Sequence, residues 1–384
     1  MTHTVYFDNA ATTRLDPKVL EAMMPYLTEF FGNPSSAYSI GRSTRMAVEG
    51  ARKTVAGLLG TKSSSIYFTS GGTESNNTAM AAAIRDLGCN CIITSPIEHH
   101  AVLHTAEYYC HRHDLPLLLV NLNDKGEIDY DDLEQKLKEQ SGKGYKCFVS
   151  LMHANNETGA LLDIKRVGSL VQRFEGVFHS DCVQTIGHYP IDLSAIPVHF
   201  ISAAGHKFHG PKGVGILYVH PSVSIQPLIY GGGQERNMRA GTENVHGIVG
   251  FARALELSME NFAKDCNYIS GLKAYMKETL CRQIPGVCFN SPEDSLYTVL
   301  NVCFPRTEAG EMLLLQLDMQ GICVSGGSAC SSGAGGSHVI KAMGRSSDCT
   351  AVRFSFSKEN TSEEIDRVVK IIKTILVSEN AAIV

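Results

Sequence analysis

Short apolar, β-rich runs recur through the first 220 positions, at 65–69, 91–94, 117–120, 146–151, 177–180, 199–202 and 215–219. Between most of them lie longer stretches in which apolar residues return at helical spacing. Such alternation predicts an open, largely parallel sheet with helices on both faces, whose ligands gather beyond the carboxyl ends of the strands. From 247 to about 282 the chain reads as one or two long helices rich in Ala, Leu, Met and Lys. Strand-like runs then follow at 287–290 and 298–303, a helix-like run at 309–319, a strand at 352–356 and a closing helix from 361, which together read as a smaller α+β unit.

With 384 residues and 43% hydrophobic content, the chain can bury two cores. A net charge of −5 shows no basic excess, so neither a nucleic acid nor an anionic membrane surface is an expected partner. The first residues lack a basic stretch followed by an apolar core, and no long uncharged apolar run occurs later, so a soluble cytoplasmic protein is expected. The 12 cysteines are scattered without paired spacing and read as reduced thiols. Cys110, His111, His113 and His104 do not share one helical face and read as a helix end rather than a metal site, while Cys89 and Cys91 read as packing residues.

Several segments carry chemistry. Lys207 stands in a Gly-rich run from Gly205 to Gly215, where an amine can bond a carbonyl cofactor. Ser70-Gly71-Gly72-Thr73 follows a strand and opens a helix, so free N–H groups and the Thr73 hydroxyl can bind a phosphate. Asp181 ends a strand, where its carboxylate can hold a pyridinium nitrogen protonated or simply cap a helix. Gln184 lies three residues on, within reach of a ring oxygen. His99 can stack on a ring and move protons, or serve as a cap. An amine, a phosphate cradle, an acid and a stacking ring are the four groups that pyridoxal 5'-phosphate requires. Cys330 lies among small residues from Ser325 to Gly336, on a loop with little to pack it.

These segments resemble, in order, the signatures of the NifS/IscS-like cysteine desulfurases of the class V pyridoxal-phosphate-dependent aminotransferases. The matching segments are 6–13, 32–36, 69–76, 98–99, 155–159, 181–184, 205–215, 239–244 and 353–355, and they span nearly the whole chain. The resemblance implies an α/β fold of the fold type I pyridoxal-phosphate transferases. A large domain over 14–255 would carry a mostly parallel sheet, and residues 1–13 with 256–384 would form a small domain bearing the cysteine loop. Gly72, Thr73, His206 and, from the neighbouring subunit of a homodimer, Thr242 would bind the phosphate. His99 would stack and act in proton transfer, including removal of the substrate thiol proton. Asn156 would contact the ring or the substrate carboxylate, Asp181 the ring nitrogen and Gln184 the ring oxygen. Lys207 would bond the cofactor, and Arg353 would grip the carboxylate of L-cysteine.

By the same resemblance, Cys330 would take sulfur from L-cysteine as a persulfide, leaving L-alanine, and pass it to an iron-sulfur scaffold protein or another acceptor. Cys330 would also be a shared iron-sulfur ligand. Ala204 stands where the family often has a serine on the phosphate, and Ser202 is the candidate replacement. Tyr38 stands where a histidine is common, and the segment after Cys330 is one residue short with Ala334-Gly335-Gly336 in it. A selenocysteine lyase or an aminotransferase of the same fold is the alternative in which activity does not need Cys330. A non-catalytic sulfur or cluster scaffold is the third, and Lys207, Asp181 and His99 argue against it.

Overall fold

The computed structural model of the protein describes residues 4–305, 312–327, 336–345 and 349–377. Its strands are β1 (Val5–Tyr6), β2 (Ile66–Thr69), β3 (Cys91–Thr94), β4 (Leu117–Leu119), β5 (Cys147–Ser150), β6 (Val177–Asp181), β7 (Phe200–Ala204), β8 (Gly215–Val219), β9 (Cys288–Phe289), β10 (Val299–Pro305), β11 (Ile322–Cys323) and β12 (Cys349–Ser355). The helices are α1 (Pro17–Thr28), α2 (Ser39–Leu58), α3 (Gly72–Arg85), α4 (His100–His113), α5 (Tyr130–Gly142), α6 (Ile164–Arg173), α7 (Val245–Glu260), α8 (Phe262–Gln283), α9 (Leu313–Met319), α10 (His338–Ala342) and α11 (Ser362–Val377).

Seven strands form one sheet in the order β2-β8-β7-β6-β5-β3-β4. The five strands from β3 to β7 run parallel. β8 alone is antiparallel to both its neighbours, because the short link after β7 holds a single 3-10 turn, Gly205–Lys207, and no crossover helix. Successive residues of the central strands face opposite cores. Val149, Phe178, Ile201 and Ile216 pack on one side, and Phe148, Val177, Phe200 and Leu217 on the other. Burial on both faces explains why these strands read as continuous apolar runs.

A second core is built on β12-β10-β9, an antiparallel sheet, with α8, α9 and α11. Val5 and Phe7 from the N-terminus belong to it, and β1 pairs in parallel with β11. The long helical stretch divides at Asn261 into α7 and α8. Sequence pattern did not separate α1 and α2, which pack on α7. The run expected as a helix from 309 is helical over Leu313–Met319, and 309–311 lie outside the described residues. The expectation of reduced thiols is corrected at one pair. Cys303 and Cys349 form a disulfide across β10 and β12, where the antiparallel register brings their Cα atoms to 5.4 Å.

Candidate active site

The carboxyl end of β2 runs through Gly71 into α3. Gly71 takes φ 153° and ψ −178°, a region essentially confined to glycine. A Cβ on Gly72 would come within 2.6 Å of the Val183 side chain, so the helix start can lie this close to the turn after β6 only without a side chain there. The N–H groups of the first turn of α3 have no helical acceptor and face a cleft lined by Gly72 and Thr73. One turn on, Asn76 Nδ2 donates to Asp181 Oδ2 at 2.7 Å, while Asp181 Oδ1 accepts from Val183 N at 3.0 Å. Asp181 therefore serves both as the turn-forming carboxylate and as a buried negative charge at the floor of the cleft.

Lys207 ends the 3-10 turn after β7, and its Nζ donates to the Ala10 and Ala11 carbonyls at 2.7 and 2.9 Å. Gln184 Nε2 donates to the same Ala10 carbonyl at 3.1 Å. His206 lies beside Thr12 Oγ1 at 3.2 Å, and burial, with Lys207 and Lys212 adding to it, pushes its imidazole down to about 4. His99 is the cap of α4: its Nδ1 accepts from Ala101 N at 3.1 Å. Burial pushes the His99 imidazole below its ordinary range against the opposing pull of Asp181. In the neutral ring the cap leaves the proton on Nε2, so His99 meets the cleft as a donor there. Accepting the substrate thiol proton at Nε2, the role expected from sequence, would require the ring to give up its cap.

The facing wall comes from the second core. Arg353, on β12, is fully buried; it donates to the Asn156 carbonyl at 2.8 Å and pairs with Asp8 at 2.6 Å. Among the described residues its Nε has no partner, nor has Asn76 Oδ1, although both residues line the cleft. Buried orphans of this kind mark places where a ligand completes the hydrogen bonding. Glu98, next to His99, is also fully buried, accepts from Ser95 Oγ and Met152 N, and is pushed by burial up to about 8.

The cleft thus gathers Gly72, Thr73, His99, Asn156, Asp181, Gln184, His206, Lys207 and Arg353 around about 820 Å³ of empty space. Ser202 shares the face of Ala204 but lies two residues deeper in β7, sealed at 0% exposure against His179 at 3.0 Å, and does not line the cleft. Thr242 is exposed and lies in a separate cleft with Arg239 and Gly241. Cys330, both as sulfur carrier and as metal ligand, lies outside the described residues. Sequence reasoning did not single out Asp8, Asn76 or Glu98. Asn76 was within reach, since it sits four residues after Gly72 and so shares its helical face.

These residues fit pyridoxal 5'-phosphate: a helix N-terminus for the phosphate, a buried carboxylate for the ring nitrogen, a half-buried amine for the aldehyde and an imidazole at the ring's side. With the sheet beneath, they define an enzyme of the fold type I pyridoxal-phosphate class. The chain belongs to the class-V aminotransferases, whose family model matches residues 5–368. It is 42% identical to a cysteine desulfurase IscS of Methanosarcina thermophila over 379 residues, covering 97% of this chain and 92% of that protein. A cysteine desulfurase IscS of Dictyoglomus turgidum is 40% identical over 383 residues, with 98% and 95% covered. Among solved structures, a NifS-like protein superposes with a TM-score of 0.90 at 39% identity, covering 98% of this chain and all of that one.

Proposed function

We propose that this protein is a pyridoxal-phosphate-dependent L-cysteine desulfurase. The observation that carries the reading is the convergence of Lys207, Asp181, His99 and Arg353 on one cleft. When bound, the cofactor withdraws electrons from the substrate's α-carbon. Gly72, Thr73 and His206 would hold its phosphate, Asp181 would keep its ring nitrogen protonated, and Gln184 would reach its ring oxygen. Lys207 would be the amine that holds its aldehyde, and its Nζ would accept the substrate α-proton. Arg353 orients the substrate carboxylate, and Asn156 lies beside it. The Cys330 thiolate attacks the substrate sulfur; the Cβ–S bond breaks with its electron pair passing to the carbon, which gains a proton. L-cysteine and the Cys330 thiol thereby become L-alanine and a Cys330 persulfide.

Two readings about partners follow from the same proposal. The apolar residues Leu20, Met24, Leu27, Phe31 and Met46 on and around α1 and α2 are exposed, Phe31 and Met46 by 77% and 75%. A second copy covering this face, with Thr242 reaching the partner's phosphate, accounts for both features. The persulfide would pass to an iron-sulfur scaffold protein or another thiol acceptor in the cytoplasm, a reducing compartment in keeping with nine unpaired cysteines among the described residues. No helix among those residues is long and apolar enough to cross a membrane.

The test is the release of alanine and sulfide from L-cysteine with a thiol reductant, comparing the protein with Cys330→Ala. Equal amounts of both products, lost in the variant, are expected. Activity that survives Cys330→Ala would favour the lyase or aminotransferase alternative.

A further inference from the structure

Behind Lys207, on the side away from the cofactor cleft, two side chains connect the turn after β6 to the second core. His188 Nε2 lies 3.1 Å from the Lys207 carbonyl oxygen, and His188 Nδ1 lies 3.3 Å from the Tyr297 hydroxyl. Tyr297 precedes β10, is 7% exposed and packs edge-on against both His188 and Tyr189. A backbone carbonyl can only accept, so His188 Nε2 must carry a proton. Burial pushes the His188 imidazole down to about 4, which leaves the ring neutral and Nδ1 free to accept from the Tyr297 hydroxyl. The order of donors is therefore fixed: Tyr297 O–H to His188 Nδ1, then His188 Nε2–H to the Lys207 carbonyl.

The neighbouring backbone leaves this chain little play. Gly187 has φ 85° and lies so close to Phe208 that a Cβ there would meet its Cβ and Cγ at 2.4 Å, so the turn carrying His188 is pressed onto the turn carrying Lys207. On its other flank the His206 carbonyl accepts from Thr13 N at 2.9 Å and Thr13 Oγ1 at 3.0 Å. The His206 carbonyl is thus anchored from the N-terminal segment, and the Lys207 carbonyl from His188.

We infer that His188 and Tyr297 are positioning residues that lock the Lys207 peptide so that its amine points into the cofactor cleft. The inference rests on the proposed role of Lys207. Neither side chain lines that cleft, and both act through the Lys207 backbone. A loose peptide at this position would misdirect the amine both when it first bonds the cofactor and when it returns after each turnover.

The experiment measures two things: the rate at which cofactor-free protein develops the absorbance of the Lys207–cofactor bond on mixing with pyridoxal 5'-phosphate, and kcat and KM of the loaded enzyme. His188→Leu is expected to slow the association and lower kcat by about tenfold with KM little changed. His188→Gln, whose amide can still donate to the Lys207 carbonyl, should return both to within about twofold of the parent. Tyr297→Phe should lower both by about threefold. Should His188→Leu fail to fold, Tyr297→Phe decides the matter. Parent-like rates in Tyr297→Phe, or a His188→Gln as impaired as His188→Leu, would overturn the positioning role. A parent protein that forms no such bond would overturn the cofactor reading as well, which separates the two failures.

Discussion

On one side of the cleft, Gly72, Thr73, Asn76, Asp181, Gln184 and Lys207 all issue from the carboxyl ends of the seven-stranded sheet, and Asn76 donates to Asp181 within it. On the other side the guanidinium comes from β12 in the second core, and it is oriented by Asp8 and by the Asn156 carbonyl. On the proposed function, the first wall would be a cofactor seat that one core can hold ready. The second would grip a substrate only where the two cores meet. The N-terminal segment serves both: Ala10 and Ala11 hold the Lys207 amine, while Asp8 holds Arg353.

If the walls divide the work in this way, removing Arg353 should separate cofactor binding from substrate binding. Arg353→Leu is expected to lower kcat/KM for L-cysteine by about 1,000-fold, since truncating a buried, hydrogen-bonded charge costs a few kcal/mol of binding. Pyridoxal 5'-phosphate uptake, followed by absorbance, should stay close to that of the parent. A parallel loss of cofactor would break the comparison and make Arg353 part of the seat.

The sheet wall also depends on a clamp outside the cleft. Glu235, Arg236 and Asn237 take φ of 46°, 58° and 66°, three successive non-glycine residues in the left-handed region. Such positions cost of order 1 kcal/mol each and persist where the surroundings enforce them. Here Arg52 and Glu235 form a fully buried bidentate pair at 2.7 Å, and Glu235 also accepts from Phe68 N on β2. Arg52→Leu leaves the Glu235 carboxylate buried without its cation. Denaturant unfolding should show a loss of about 3 kcal/mol or more. A loss below about 1 kcal/mol would mean that water reaches Glu235 and that the clamp is weaker than its burial implies.

Much of this division was legible in the sequence. The four inner parallel strands, β3, β5, β6 and β7, declare themselves because burial on both faces demands apolar runs, and residues at or just beyond their carboxyl ends, Asp181 and Lys207 among them, line the cleft as that topology requires. The place of Ser202, deeper in β7 than Ala204, is not written in the sequence, because alternation reports the face of a strand and not the depth along it. His99 reads in sequence as either a cap or a site residue, and in the fold it is a cap that also lines the cleft, since Ala101 N in the first turn of α4 donates to its ring. Asp8, His188 and Tyr297 left no local signature. Their partners lie 345, 19 and 109 residues away in the chain, and only tertiary packing brings them together.

Glu98 offers the finest probe, because it lies under the sheet wall yet its carbonyl accepts from His338 Nε2 of α10, just beyond the 328–335 segment that carries Cys330. Among the described residues its Oε1 accepts two hydrogen bonds and its Oε2 has none, so the side chain is suited to the protonated form. Burial raises the carboxyl from 4.5 to about 8, so over that window the native state binds more protons than the unfolded chain. Stability should therefore fall as pH rises from 4.5 to about 8 and change no further on this account above it. Glu98→Gln keeps the acceptor for Ser95 and Met152 and removes the titration. It should match the parent near pH 5 and exceed it by about 4 kcal/mol at pH 8.5, read from denaturant midpoints. A variant that is instead less stable than the parent at pH 8.5 would mean that Glu98 is ionised in the native state and held by a cation, and the sheet wall would then carry a second buried charge beside Asp181.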